Sequence, residues 1–267
     1  MKHITFKSAA ITLAAIAFAA CDQVKDDERF IEMPAVEAQR VVLLEEFTGQ
    51  KCVNCPDAHR VIESLEEKYG DNLIVVSIHG GGDAFSYSED KVSFGLRNEQ
   101  GQAYCDAYGI AALPAGVVNR TSGVQTHDKW ETAIRSELAR PSNVELEVAS
   151  DLNADGTAAD ITVTVTPHAN ISGRLQVWAI ESGIVARQLS TSGSIPDYVH
   201  NNVFRAAVNG SDGESLALTI REPQTLTYTL DIKDKWTPAN MQIVAFVYTP
   251  ADGILQAAKT PLSSIEN

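Results

Sequence analysis

At Pro141-Ser142-Asn143 the hydrophobic period of this 267-residue chain changes, and that change governs what it can fold into. Upstream, over residues 41–140, apolar runs suited to buried strands, VVLLEEF and NLIVVSIH, alternate with helical segments. In DAHRVIESLEEKYG, Val61, Leu65 and Tyr69 recur at helical spacing, with Gly70 as a C-terminal stop. Trp130, Ile134 and Leu138 mark another helix face. Strands and helices in this order belong to α/β architecture, expected over residues 39–140. Downstream the period is two. NVELEV, DITVTVTP, RLQVWAI, TLTYTL and MQIVAFVYTP read as strands separated by Gly, Asn and Asp turns. The expectation for residues 141–267 is an all-β domain, an immunoglobulin-like sandwich. Residues 187–215 interrupt it and read as a long polar loop, of the kind that is usually functional or disordered.

The first 38 residues read differently. Lys2 and Lys7 flank a basic start, and residues 11–18 are apolar but too short for a membrane span, so residues 1–20 read as a secretory signal. Phe18-Ala19-Ala20-Cys21 resembles a bacterial lipobox, which implies cleavage before Cys21 and lipidation of its thiol and amine. A plain signal cut after Ala20 is the alternative. Residues 21–38 are polar and acidic and read as a tether. Lys and Arg number 21 against 35 Asp and Glu, a net charge of −14, which argues against nucleic acid and against adhesion to anionic headgroups. Membrane attachment is therefore expected through the N-terminal lipid.

With Cys21 set aside, Cys52, Cys55 and Cys105 remain: one pair and one remainder. A helix is expected to start at or near Cys52, where the helix dipole and Lys51 favour the thiolate. Cys55 lies three residues on, within disulfide reach. That arrangement suits a dithiol switch in which Cys52 attacks and Cys55 resolves. A structural disulfide is the competing reading, although a bridge over two residues constrains little of the unfolded chain. C-x2-C-x3-H, with His59 and His79, is the weaker zinc alternative, and no metal is expected. Pro56 after the second cysteine rules out the covalent haem motif. Cys105 reads as a buried free thiol. His59 reads as a surface residue, and Tyr198, His200 and Arg205 as exposed-loop residues or a partner-binding patch.

Glu46-Phe47, Cys52-x-x-Cys55 and Tyr108-Gly109-Ile110-Ala111-Ala112-Leu113-Pro114 together resemble the thioredoxin active site. The resemblance implies a thioredoxin-like α/β domain. It further implies that Glu46 assists deprotonation of the resolving cysteine, and that Leu113 and Pro114 form the edge where a substrate polypeptide pairs. Lys51, Val53-Asn54 and Pro56 depart from the usual thioredoxin residues, which leaves the redox direction open. The motif EFTGxxCxNCP, the Val118-Asn119-Arg120 strand end and the closing VAFVYTPADGILQA resemble a narrower group, lipoproteins of the outer-membrane-protein-twenty-eight family. Two functions follow as expectations. The first is thiol–disulfide exchange on exported proteins at the outer membrane, periplasmic or surface-facing, with no cofactor beyond the dithiol and a redox partner to reset it. The second is a non-catalytic cell-surface binding or adhesin protein.

Overall fold

The computed structural model describes residues 39–264; the expected signal, Cys21 and the tether up to residue 38 lie outside the described residues. In chain order the elements are β1 (Val42–Thr48), α1 (Cys55–Tyr69), β2 (Leu73–His79), α2 (Gly82–Phe85), α3 (Glu99–Ala107), β3 (Ala115–Val118) and α4 (Trp130–Leu138). They continue as β4 (Val144–Leu152), β5 (Ala158–Pro167), β6 (Ile171–Glu181), β7 (Ile184–Ser190), β8 (Gly193–His200) and β9 (Val203–Ala207). The last are β10 (Glu214–Leu218), β11 (Gln224–Asp231), β12 (Met241–Thr249), β13 (Gly253–Pro261) and β14 (Ser263–Ser264).

The principal sheet has eight strands in the order β13-β12-β6-β9-β2-β1-β3, with β10 also pairing β6. It is mixed: β1 runs parallel to β2 and antiparallel to β3, and β9 joins β2 in parallel at Ser77 and Val203. The expected α/β thioredoxin-like domain followed by a separate immunoglobulin-like sandwich is therefore not what forms. The chain is mainly β, and strands from both sides of Pro141 share one sheet. The reason lies in the first half, which supplies three sheet strands; residues 80–114 hold only α2 and α3 and no strand to cover the second edge of β2. That edge is filled by β9 from the second half.

One face of this sheet buries Phe47, Ile74, Ile78, Trp178, Phe204 and Phe246 together with Tyr104 and Cys105 of α3. On the other face α1 and α4 cover Val42, Leu44, Leu73 and Val75. Beside them, the four-stranded sheet β11-β5-β4-β14 packs Ile161, Val163 and Val165 against Leu175, Val177, Ile243 and Ala245. Both faces of β1 and β2 are thus dry, which is why these strands are apolar without alternation.

Two joints fix the halves together. The turn before β13 docks on the end of β3: Ile254 N–H donates to the Asn119 carbonyl at 2.8 Å. A Cβ at Gly253 would stand 2.2 Å from that oxygen, and Gly253 has a φ of +68°. Asn119 and Arg120 also take positive φ, 48° and 58°. At the second joint, β7 and β8 form a two-stranded hairpin that replaces the long loop expected there. Its base packs Ile184 and Ala186 against Leu96 and Val203.

Candidate functional site

Strand β1 delivers the chain into residues 49–54, and α1, expected to start at or near Cys52, begins at Cys55. Pro56 sets the boundary, because its missing N–H and fixed φ suit the first helical turn. Cys52 lies in the preceding turn, donating its N–H to the Gly49 carbonyl at 3.0 Å, while its own carbonyl accepts from Cys55 N–H at 3.3 Å. The two sulfurs are bonded, with Cα atoms 5.4 Å apart. Both cysteines are buried, at 3% and 0% exposure, while Val53 between them is exposed. Lys51 donates to the Asp83 carbonyl at 2.6 Å and lies over the Tyr87 ring.

Glu46 is fully buried on the face of β1 that meets α1. Its Oε1 lies 3.3 Å from His59 Nε2, and among the described residues neither oxygen has an aligned hydrogen-bond donor. His59 stands one helical turn after Cys55, on the same face of α1. It is not a surface residue. Nε2 contacts Thr48 Oγ1 at 2.9 Å, and Nδ1 meets the Tyr198 hydroxyl at 2.7 Å. The hairpin brings in Tyr198 from 139 positions away, closing the histidine over. Burial is the largest single influence on His59 and lowers its proton affinity, but the charge of Glu46, close contact with that carboxylate and the charge of Glu63 together outweigh it, and the imidazole pKa is raised.

Two more histidines adjoin. His79 at the end of β2 and His200 at the end of β8 face each other with ring centroids 5.3 Å apart. Among the described residues their ring nitrogens have no hydrogen-bond partners. Burial, and then the charge of His200, holds His79 well below its ordinary pKa; burial, and then the charge of His59, brings His200 down to about 3. Among the described residues no group of three His, Cys, Asp or Glu side chains is placed to hold a metal ion.

Leu113 and Pro114, joined by a cis peptide, are half-buried. They precede β3, whose Ala115 pairs with Phe47, so they lie at the end of β1 from which the cysteine turn departs. Cys105 is buried under Gly80, and desolvation pushes its thiol up to about 12. Arg205 is buried in an ion pair with Glu181 at 2.8 Å, and its charge is a lesser cause of the lowered His79 pKa. Two glutamines escaped the sequence reading. Gln188 donates to the carbonyls of Gly49 (3.2 Å) and Cys52 (3.0 Å), and Gln50 donates to those of Phe94 (2.9 Å) and Arg187 (3.2 Å). Their only sequence signal is a polar residue inside a segment that had no apolar pattern to contrast with it.

The sequence profile of the family described as outer membrane protein Omp28 matches residues 101–263, more than half of the chain and entirely downstream of the cysteine pair. No curated protein matches it. Among solved structures, HBP35 of Porphyromonas gingivalis is similar with a TM-score of 0.66 at 16% identity, over 84% of this chain and 76% of that one. Protein AGR_C_4864 from Agrobacterium tumefaciens superimposes with a TM-score of 0.52 at 13% identity, over 86% of this chain and 99% of its own. A domain of the outer membrane lipoprotein Omp28 from Porphyromonas gingivalis matches 47% of this chain and 92% of its own at 18% identity and a TM-score of 0.35. The first two likenesses concern the fold alone.

Proposed function

The chain belongs to the Omp28 family of outer membrane proteins, and we propose that its Cys52–Cys55 pair carries out thiol–disulfide exchange on exported proteins. Cys52 is the nucleophile, Cys55 resolves the mixed disulfide, and Glu46 moves the proton of Cys55. Leu113 and Pro114 form the edge on which an extended substrate segment lies. The dithiol is its own cofactor, and a redox partner resets it. Cys21 carries the lipid that holds the protein to the outer membrane, facing the periplasm or the cell surface; among the described residues no helix is long and apolar enough to cross a membrane. Loss of palmitate labelling in Cys21→Ala would support that anchor, and retained labelling would remove it.

The observation that carries the exchange reading is the fully buried Glu46, on the face of β1 that meets the helix begun by Cys55. A carboxylate there is costly unless a proton or a cation compensates it. Closing two intervening residues also gives a disulfide little leverage on the unfolded chain.

One observation favours the second reading, a non-catalytic binding protein. Both sulfurs are buried, while Val185 and Val199 form a cross-strand pair on the hairpin at 64% and 50% exposure. Equilibration with glutathione buffers and thiol trapping separates the two readings. A potential within reach of periplasmic partners supports exchange. One below about −300 mV makes the bond a structural staple and favours binding.

A further inference from the structure

We propose that His59 is the proton carrier of this exchange, linking the buried Glu46 carboxylate to Tyr198 at the protein surface. The proposal rests on the exchange reading above and adds a route that reading lacks. Glu46 is sealed from water, so a proton it takes from Cys55 must leave through another group. His59 Nε2 is 3.3 Å from Glu46 Oε1, and its Nδ1 is 2.7 Å from the Tyr198 hydroxyl. One nitrogen therefore faces the buried acid and the other a half-exposed phenol. An imidazole held in this way accepts at one nitrogen while it releases at the other. His59 also stands one turn from Cys55 along α1, so the proton donor and the carrier share one helix face.

Other titratable groups surround His59. From α1 come Glu63, which adds negative charge, and Arg60, which lies near Tyr198. From β2 and β8 come His79 and His200, both kept neutral by burial. Thr48 of β1 contacts Nε2 and holds the ring.

In the reductive direction the Cys52 thiolate attacks a disulfide of an exported protein. A Cys52–substrate bond forms, the substrate S–S bond breaks, and one substrate sulfur leaves as a thiolate. Cys55 then gives its thiol proton to Glu46, and its sulfur attacks Cys52 Sγ. The mixed disulfide breaks and the second substrate sulfur leaves. One protein thiolate and one protein thiol have become a disulfide, and one substrate disulfide has become two thiolates, with one proton left on Glu46. Glu46 passes the proton to His59 Nε2, Nδ1 gives one to the Tyr198 hydroxyl, and that hydroxyl gives one to water, where it serves one substrate thiolate; the proton lost to water when Cys52 ionised serves the other. An external dithiol protein restores the starting state.

The test is the rate at which the reduced full-length protein is oxidised by glutathione disulfide between pH 5 and 9, for wild type, His59→Gln and Tyr198→Phe. Tyr198→Phe keeps the ring and loses only the hydroxyl, so it serves even where His59→Gln fails to fold. Both variants are expected to slow by about a hundredfold below pH 7 and to converge on wild type near pH 9, where hydroxide takes the proton directly. A profile parallel to wild type, lowered equally at every pH or not at all, overturns the carrier and leaves the exchange reading intact. A wild-type pair that glutathione neither oxidises nor reduces overturns both.

Discussion

Gln188 donates from Nε2 to the main-chain carbonyl of Cys52 at 3.0 Å, reaching back 136 positions to close the hairpin over the cysteine turn. The same nitrogen lies 3.2 Å from the Gly49 carbonyl. Replacing Gln188 with Ala removes this clasp but touches neither sulfur. The disulfide is then expected to be reduced severalfold faster by dithiothreitol, with its equilibrium potential little changed. Equal rates in wild type and variant would mean that the hairpin does not limit access.

The paired histidines make stability depend on acidity in a defined window. His200 has a folded pKa of about 3 against an ordinary 6.5, set by burial and then by the charge of His59. Below pH 6.5 the unfolded chain binds a proton that the native chain refuses, so stability falls as pH drops from 6.5 towards 3. At pH 5 this residue alone costs about 2 kcal/mol. His79 acts in the same direction. His59, whose folded pKa is raised, acts oppositely: its contribution is complete below its unfolded pKa and fades as pH rises through the folded one. Urea unfolding at pH 7 and pH 5 should show a smaller loss for His200→Gln than for wild type. The same loss in both would sink the assignment.

On the opposite face of β1, Glu45 is fully buried and held by Arg120 through two contacts, 2.8 and 3.1 Å, and by the Tyr108 hydroxyl at 3.0 Å. Arg120→Met leaves that carboxylate unpaired and is expected to cost about 3–5 kcal/mol in denaturant unfolding. Adding Glu45→Gln should recover part of the loss. A double variant no more stable than the single one would show that the arginine acts by packing on Phe246 and Tyr248 instead.

Gly80 has no room for a side chain, because a Cβ there would lie 2.0 Å from Cys105 Sγ. Gly80→Ala is expected to destabilise by about 1–3 kcal/mol, and Cys105→Ala in the same chain should relieve most of it. Iodoacetamide at pH 8 should leave Cys105 unmodified in the native protein and label it in urea, since burial keeps its thiol protonated. Labelling under native conditions would contradict that burial.

What the sequence disclosed follows from how local each signal was. VVLLEEF, NLIVVSIH and the helix ending at Gly70 carry their patterns within a dozen residues, and all three form. The family resemblance was legible in the same way, from Val118-Asn119-Arg120 and the closing strands. Strand β8 was not legible. Its residues 193–199 are mostly exposed and include Pro196, so no apolar alternation marks them. The shared sheet was hidden because Ser77 pairs with Val203 across more than a hundred residues. His59 was misjudged for a related reason: its helix position is ordinary, and its burial is supplied by Tyr198 on the hairpin.

The docking of Gly253 on Asn119 has a consequence for how this chain can diverge. A side chain at 253 would meet the Asn119 carbonyl, and residues 119 and 120 hold backbone angles that most residues resist. The oxygen is a main-chain atom that any residue at 119 would carry, so no replacement there makes room at 253. Glycine at 253 is thereby dictated by backbone more than a hundred residues earlier in the chain, and the freedom of that one codon is set by the path of a distant turn.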